Sequence, residues 1–202
     1  MTASELTAKG RRTRDQIVAA AAATIHERGV AATTLSDVRE AAGVSSSQLY
    51  HYFADKQDLV RGVVEHRVQG VVEHQRALDI STLDAFRRWR QDLVASNGAR
   101  EGTGGCPLGS LGADLAETDA VGRERVALGF RQWAQVIEQG LDDMRIAGEL
   151  PRDQDTGQLA VGILAALQGG LLLSQVDRDP SALAAALDSV ILLLELLAPQ
   201  TT

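Results

Sequence analysis

The stretch from Gly43 to Lys56, GVSSSQLYHYFADK, constrains the fold of this chain more than any other. Leu35, Val38 and Ala42 lie at helical spacing and give the helix ahead of it one apolar face. Gly43 suits the left-handed turn that closes such a helix, because it has no Cβ to clash there. Val44 fills the angle between two helices, and Ser45 or Ser46 can cap the second. Leu49 and Phe53, four apart, face inward. The pattern predicts a helix-turn-helix that leaves Ser46, Ser47, Gln48, Tyr50, His51 and Tyr52 outside. Hydroxyls, an amide and aromatic rims suit a DNA groove, since they donate and accept at base edges and phosphates.

The longer run TTLSDVREAAGVSSSQLYHYFADKQDLV resembles the DNA-binding domain of the tetracycline-repressor (TetR) family of transcriptional regulators. The Gly-Val turn, the Leu-Tyr-x-Tyr-Phe core and the Asp-Lys-x-x-Leu opening of the next helix fall in one register. A hairpin buried in a helical core, the alternative, has no use for two tyrosines and a histidine beside Leu49 and Phe53. Ser46, Gln48 and His51 are expected near base edges, with Tyr50, Tyr52 and Lys56 nearer phosphates. The resemblance adds Thr34 to the phosphate contacts.

Charge is distributed to match. The formal net charge is −7. Residues 1–57 hold seven Lys/Arg against six Asp/Glu, leaving 13 against 21 for the remainder. The acidic excess thus lies away from the DNA-reading segment, where it repels phosphate least. The single Cys106 excludes an intramolecular disulfide and fits a reducing, cytoplasmic setting. No N-terminal signal pattern is visible, the apolar runs look too short to span a bilayer, and no membrane partner is expected. Four His and one Cys show no metal-ligand spacing, and no cofactor is expected.

Taken in order, residues 1–10 read as unstructured. Arg11, Arg12 and Arg14 follow, as a solvated helix start or as an arm touching phosphates. Thr13 and Gln16 have capping-box spacing for a first helix that ends near Gly29. Asp55-Lys56 opens a long fourth helix, the link from the DNA-reading part to everything beyond it, and Lys56 at its start can meet an anion. Ser81-x-x-Asp84 opens a fifth helix that frays into a flexible glycine-rich loop, residues 96–105. That loop lacks the Lys-Ser/Thr ending of a phosphate-binding P-loop. Pro107 suits a first helical position, followed by Leu108, Leu111 and Leu115. Residues 105–119 resemble a branch of the family related to lincomycin-resistance repressors. Helices over Val121–Ala147, Asp155–Val176 and Pro180–Ala198 complete an all-α fold of about nine helices. The expected division is a DNA-binding domain at 1–55 and a ligand-binding and dimerisation domain at 56–202.

Four aromatics outside the recognition region pair at i, i+3: Phe86 with Trp89, and Phe130 with Trp133. They either fill a core or line a ligand pocket, with Gln168 and Arg90 as polar groups. Cys106 is either a packed small side chain or, just ahead of a helix N-terminus, a reactive thiol that senses electrophiles. The last helix is apolar on two sides: one stripe holds Leu183, Leu187, Val190, Ile191, Leu194 and Leu197, the other Leu192, Leu193 and Leu196. A two-sided helix is covered twice, and Leu164, Leu171, Leu187, Ile191 and Leu194 are expected to face a second copy. The resemblance implies a homodimer on a double-stranded DNA operator, answering to a small-molecule effector. Repression is the expected outcome; activation by the same fold is the alternative. A helical enzyme is disfavoured because no paired acid and base stand at matching spacing.

Overall fold

The computed structural model describes residues 6–199. Those residues form nine α-helices: α1 Ala8–Ala32, α2 Leu35–Ala42, α3 Ser46–Tyr52, α4 Lys56–Arg76, α5 Leu83–Gly98, α6 Pro107–Leu115, α7 Ala120–Ile146, α8 Thr156–Asp177 and α9 Ser181–Leu197. They cluster into two compact units that do not divide at residue 55. One takes the described residues up to Gly70 with Pro107–Leu128; the other takes Val71–Cys106 and the described residues from Gly129. The physical reason is that α6 packs on α1 and that most of α4, through Gly70, stays with the DNA-reading helices.

The first unit is built around α1. Its buried stripe, Ile17, Val18, Ala21, Ala22 and Ile25, meets Val38, Leu49, Phe53, Val60, Val63, Val64, Leu108 and Leu111 in one core. The Arg67 guanidinium of α4 donates to the Ala22 carbonyl of α1 at 2.9 Å. Glu65, also on α4, pairs with Arg125 and lies 3.9 Å from Arg14. The first helix begins earlier than expected. Thr7 is its N-cap, accepting from the Gly10 N–H at 3.2 Å. Thr13 lies inside α1, its hydroxyl donating to the Lys9 carbonyl. Its supposed partner Gln16 instead donates to the Ala42 carbonyl at the end of α2, at 2.7 Å. Residues 1–5 of the expected unstructured start lie outside the described residues.

Near its end α1 breaks. Gly29 takes φ 78, ψ 164, a conformation reserved for glycine, and the chain resumes helix to Ala32. The break frees polar groups that other elements satisfy. Val30 N–H donates to Asp114 Oδ2 on α6 at 2.8 Å, Thr33 Oγ1 donates to the Gly29 carbonyl at 2.9 Å, and Lys56 Nζ donates to the Ala31 carbonyl at 3.1 Å.

In the second unit α8 packs along α9, and α5 packs on α9. A Cβ at Gly170 would sit 2.9 Å from the Leu183 Cα, so only glycine lets these helices close. Ser174, fully buried, accepts from the Leu183 N–H at 3.1 Å. The glycine-rich segment after α5 is seated on α8 instead of standing free: a Cβ at Gly102 would lie 2.5 Å from the Ser174 carbonyl oxygen. Its glycines serve close approach. Arg90 is not a pocket group; it forks onto Asp188 of α9 with two bonds of 2.8 Å. One sequence expectation on membrane length fails. Over Thr156–Asp177 α8 is 22 residues long, and an 18-residue window of it has mean hydropathy 1.8, long and apolar enough to cross a bilayer by length and composition, a test that a core helix also passes. Glycines, glutamines and a serine interrupt its apolar run in the sequence without bringing any charge before Asp177.

Gly29→Ala puts a Cβ where φ is 78. The expected cost is about 1–3 kcal/mol, read as a lower midpoint of urea unfolding with an unchanged slope; an unchanged midpoint would show that the break is not strained.

Candidate nucleic-acid interface

Two short helices and three caps set the interface. Thr34 accepts from the Asp37 N–H at 3.2 Å, while the Asp37 carboxylate accepts from the Thr34 N–H at 2.8 Å and from its hydroxyl at 2.7 Å. This closes a capping box at the start of α2. Gly43 ends α2 with φ 63, ψ 34. Its N–H donates to the Glu40 carbonyl, and the Val44 N–H reaches back to Arg39, which orients the next helix. Ser45 then forms a second box with Gln48, at 3.2 Å and 2.9 Å.

The face that α3 presents is largely as expected. Ser46, Ser47, Gln48, Tyr50 and His51 are exposed, as is Thr34, while Leu49 and Phe53 are buried. The contacts narrow what each can do. Gln48 Oε1 is held by the Ser45 N–H, so its free Nε2 can donate to a base acceptor but the amide cannot grip adenine with both arms while the box stands. Tyr52 is half-buried, its ring edge-on to His51 at 4.8 Å, and its hydroxyl lies by Gly10 of α1. Lys56 is also half-buried, with its ammonium already on the Ala31 carbonyl; two of its three N–H bonds remain for a phosphate. Arg39 went unnoticed in the sequence. Its guanidinium reaches the Ser46 hydroxyl at 3.4 Å and Glu40 at 3.0 Å, which puts a cation beside the start of α3.

Asp37 carries the clearest electrostatic signature here. The Thr34 hydroxyl, then the Thr34 backbone N–H, then Arg28 hold its carboxyl below the usual carboxylate range.

The other candidate residues sit in or next to the second unit. Phe86 and Trp89 are buried and meet edge to face at 5.7 Å. Trp133 is buried, while Phe130 and Gln168 are half-buried. Cys106 is buried immediately ahead of α6. The expected dimer residues need correction. Leu164, Leu171, Leu187 and Leu194 are buried within their own unit, and Ile191 is half-buried. The exposed large apolar side chains of these two helices are Val161, Leu172, Leu173 and Val176 on α8 and Leu192, Leu193 and Leu196 on α9. Periodicity finds both stripes of a helix but cannot say which one its own chain covers.

An all-α chain whose N-terminal helix-turn-helix offers a polar, uncovered second helix is a helix-turn-helix DNA-binding regulator. Residues 17–63 match the family described as bacterial regulatory proteins, tetR family, and residues 81–190 match the tetracyclin repressor-like C-terminal domain. The chain is 31% identical over 175 residues to an uncharacterized HTH-type transcriptional regulator of Mycobacterium tuberculosis, covering 82% of this chain and 86% of the relative. It is 24% identical over 157 residues to the HTH-type transcriptional repressor DhaR of Mycobacterium sp., covering 76% and 77%. In fold it is similar to a TetR-family regulator of Cytophaga hutchinsonii, with TM-score 0.81, 19% identity and coverage of 98% and 100%. The chain belongs to the TetR family of bacterial transcriptional regulators, DNA-binding proteins that are not enzymes.

The sign of the Asp37 shift fixes a pH dependence. A carboxylate with a depressed folded pKa stabilises above its unfolded value and loses that contribution as pH falls through the folded one. The acid limb of unfolding below about pH 4 should therefore be shallower in Asp37→Asn than in the parent; superimposable limbs would remove the box from the account.

Proposed function

We propose that the chain is a homodimeric repressor that leaves a near-palindromic operator when a small apolar or electrophilic molecule enters its C-terminal part. The observation that carries this reading is the outward face of α3, where Ser46, Gln48, Tyr50 and His51 are exposed over a buried Leu49. Two such helices related by a two-fold axis would enter successive major grooves. Ser46, Gln48 and His51 read base edges; Thr34, Tyr50, Tyr52 and Lys56 hold phosphates. Residues of α4 belong to both compact units, so a shift of this helix is the route from effector to DNA. A coupling of about 1–3 kcal/mol suffices for a 5- to 150-fold change in operator affinity. The aromatic side chains Phe86, Trp89, Phe130 and Trp133, with Gln168, receive the effector, and Cys106 is the point of attack for an electrophile.

Gln48→Ala should cost about 0.5–1.5 kcal/mol on the operator, the worth of one hydrogen bond from Nε2, and relax specificity locally. Lys56→Ala should weaken all sequences alike and lower the salt slope by about one unit. Footprinting and salt titration measure both. Undiminished operator affinity with Gln48, Tyr50 and Lys56 all replaced by Ala would end the reading.

The dimer is supported by the exposed leucines of α8 and α9. Leu192→Glu and Leu196→Glu, both on the uncovered face, should sediment as folded monomers with weakened operator binding. Leu194→Glu, at 1% exposure, should instead unfold, because a charge would enter the core. A parent protein that sediments as a monomer at micromolar concentration would rule the dimer out.

A further inference from the structure

We infer that the effector is a neutral carbonyl compound, an apolar body whose oxygen atoms accept from the indole N–H groups of Trp89 and Trp133 and from the Gln168 amide. This rests on the ligand-responsive reading above and names the chemistry of that ligand.

Buried polar side-chain atoms are nearly always hydrogen-bonded, so each exception calls for a partner. Among the described residues six such atoms have none: Gln75 Oε1, Trp89 Nε1, both amide atoms of Asn97, Trp133 Nε1 and Gln168 Nε2. All five residues belong to the second compact unit. They come from α4, α5, α7 and α8, and their burial places them in the interior of that one unit. Trp89 and Asn97 lie on one face of α5, two turns apart. Exposure is 3% for Gln75, 4% for Trp89, 1% for Asn97 and 4% for Trp133, so bulk water does not meet the need. The edge contact with Phe86 holds the Trp89 ring in place.

Of the six atoms, Gln75 Oε1 and Asn97 Oδ1 accept and the other four donate; the four donors, two of them indoles, select the ligand. An indole nitrogen can only donate, so Trp89 and Trp133 each demand an acceptor. A hydrocarbon leaves both unmet. An anion is disfavoured as well, because among the described residues no Lys or Arg is buried and Arg90 is committed to Asp188. A cation finds no buried carboxylate among the described residues. What remains is an uncharged molecule with oxygen acceptors and an apolar, ring-compatible body, the kind of partner that Phe86 and the two indole faces accept.

The chain holds two tryptophans, so a 15N spectrum of the full-length protein has two indole cross-peaks, assigned with Trp89→Phe and Trp133→Phe. Acetophenone and α-methylstyrene have nearly the same shape and differ in carbonyl oxygen against methylene; benzoate adds the charge. Acetophenone should bind about tenfold more tightly than α-methylstyrene, from one or two added hydrogen bonds. It should also bind more tightly than benzoate and move an indole proton downfield. Either Trp→Phe change, and Gln168→Leu on the half-buried position, should erode the preference for the ketone. Equal affinity for ketone and hydrocarbon, tighter binding of benzoate, or indole peaks unmoved at millimolar acetophenone would overturn the inference; buried waters would then be the partners of these donors. Operator binding is measured on the same preparation. A protein that holds its operator while treating ketone and hydrocarbon alike defeats this inference only, whereas one that fails to bind DNA defeats the regulator reading itself.

Discussion

A helix of seven residues cannot hold itself together in water, and α3 has seven. Its position depends on burying two side chains. Leu49 and Phe53 are 1% and 2% exposed, each contributing about 1.5–3 kcal/mol against the cost of ordering so short a segment. Phe53 is the tighter constraint. The Arg14 guanidinium of α1 lies over its ring at 5.3 Å. Gly62 of α4 leaves room for both: a Cβ there would come within 3.2 Å of the Phe53 ring and 3.5 Å of the Arg14 guanidinium. The recognition surface is therefore a by-product of how α1 and α4 grip one phenylalanine.

That dependence explains which features were legible in the sequence. A hydroxyl cap at Ser45 or Ser46 and the Gly43 turn are local, so residue type and spacing suffice; the reciprocal halves of the two boxes, Asp37 and Gln48, came only with the structure. Spacing alone misled at Thr13–Gln16, because position in a helix decides what a spacing means. Gln16 found its partner at Ala42, 26 residues away. Arg90 likewise met Asp188 across 98 residues. Long-range polar pairs of this kind leave no periodic trace. The two leucine stripes of α9 were visible, and the structure decided between them: Leu187 and Leu194 went to the chain's own core, Leu192, Leu193 and Leu196 to the surface.

The break in α1 shows how a local strain becomes a junction. Once Gly29 leaves helical geometry, the chain must find partners for what the helix no longer satisfies. Asp114 from α6 takes Val30 N–H, and Lys56 from the start of α4 takes the Ala31 carbonyl. Lys56 thus steadies the elbow that leads into Thr34, with two of its three N–H bonds left over.

The two units treat buried polarity differently. In the first, a half-buried Arg67 is bonded to Ala22, buried Thr33 to Gly29 and buried Thr24 to Ala20, and none of the unpartnered buried atoms among the described residues lies there. The second leaves all six unmet. A segment that reads DNA must hold one geometry, and satisfied polar groups fix it. Unmet buried donors cost stability, so these polar groups hold the geometry of the second unit less firmly than the paired ones hold the first.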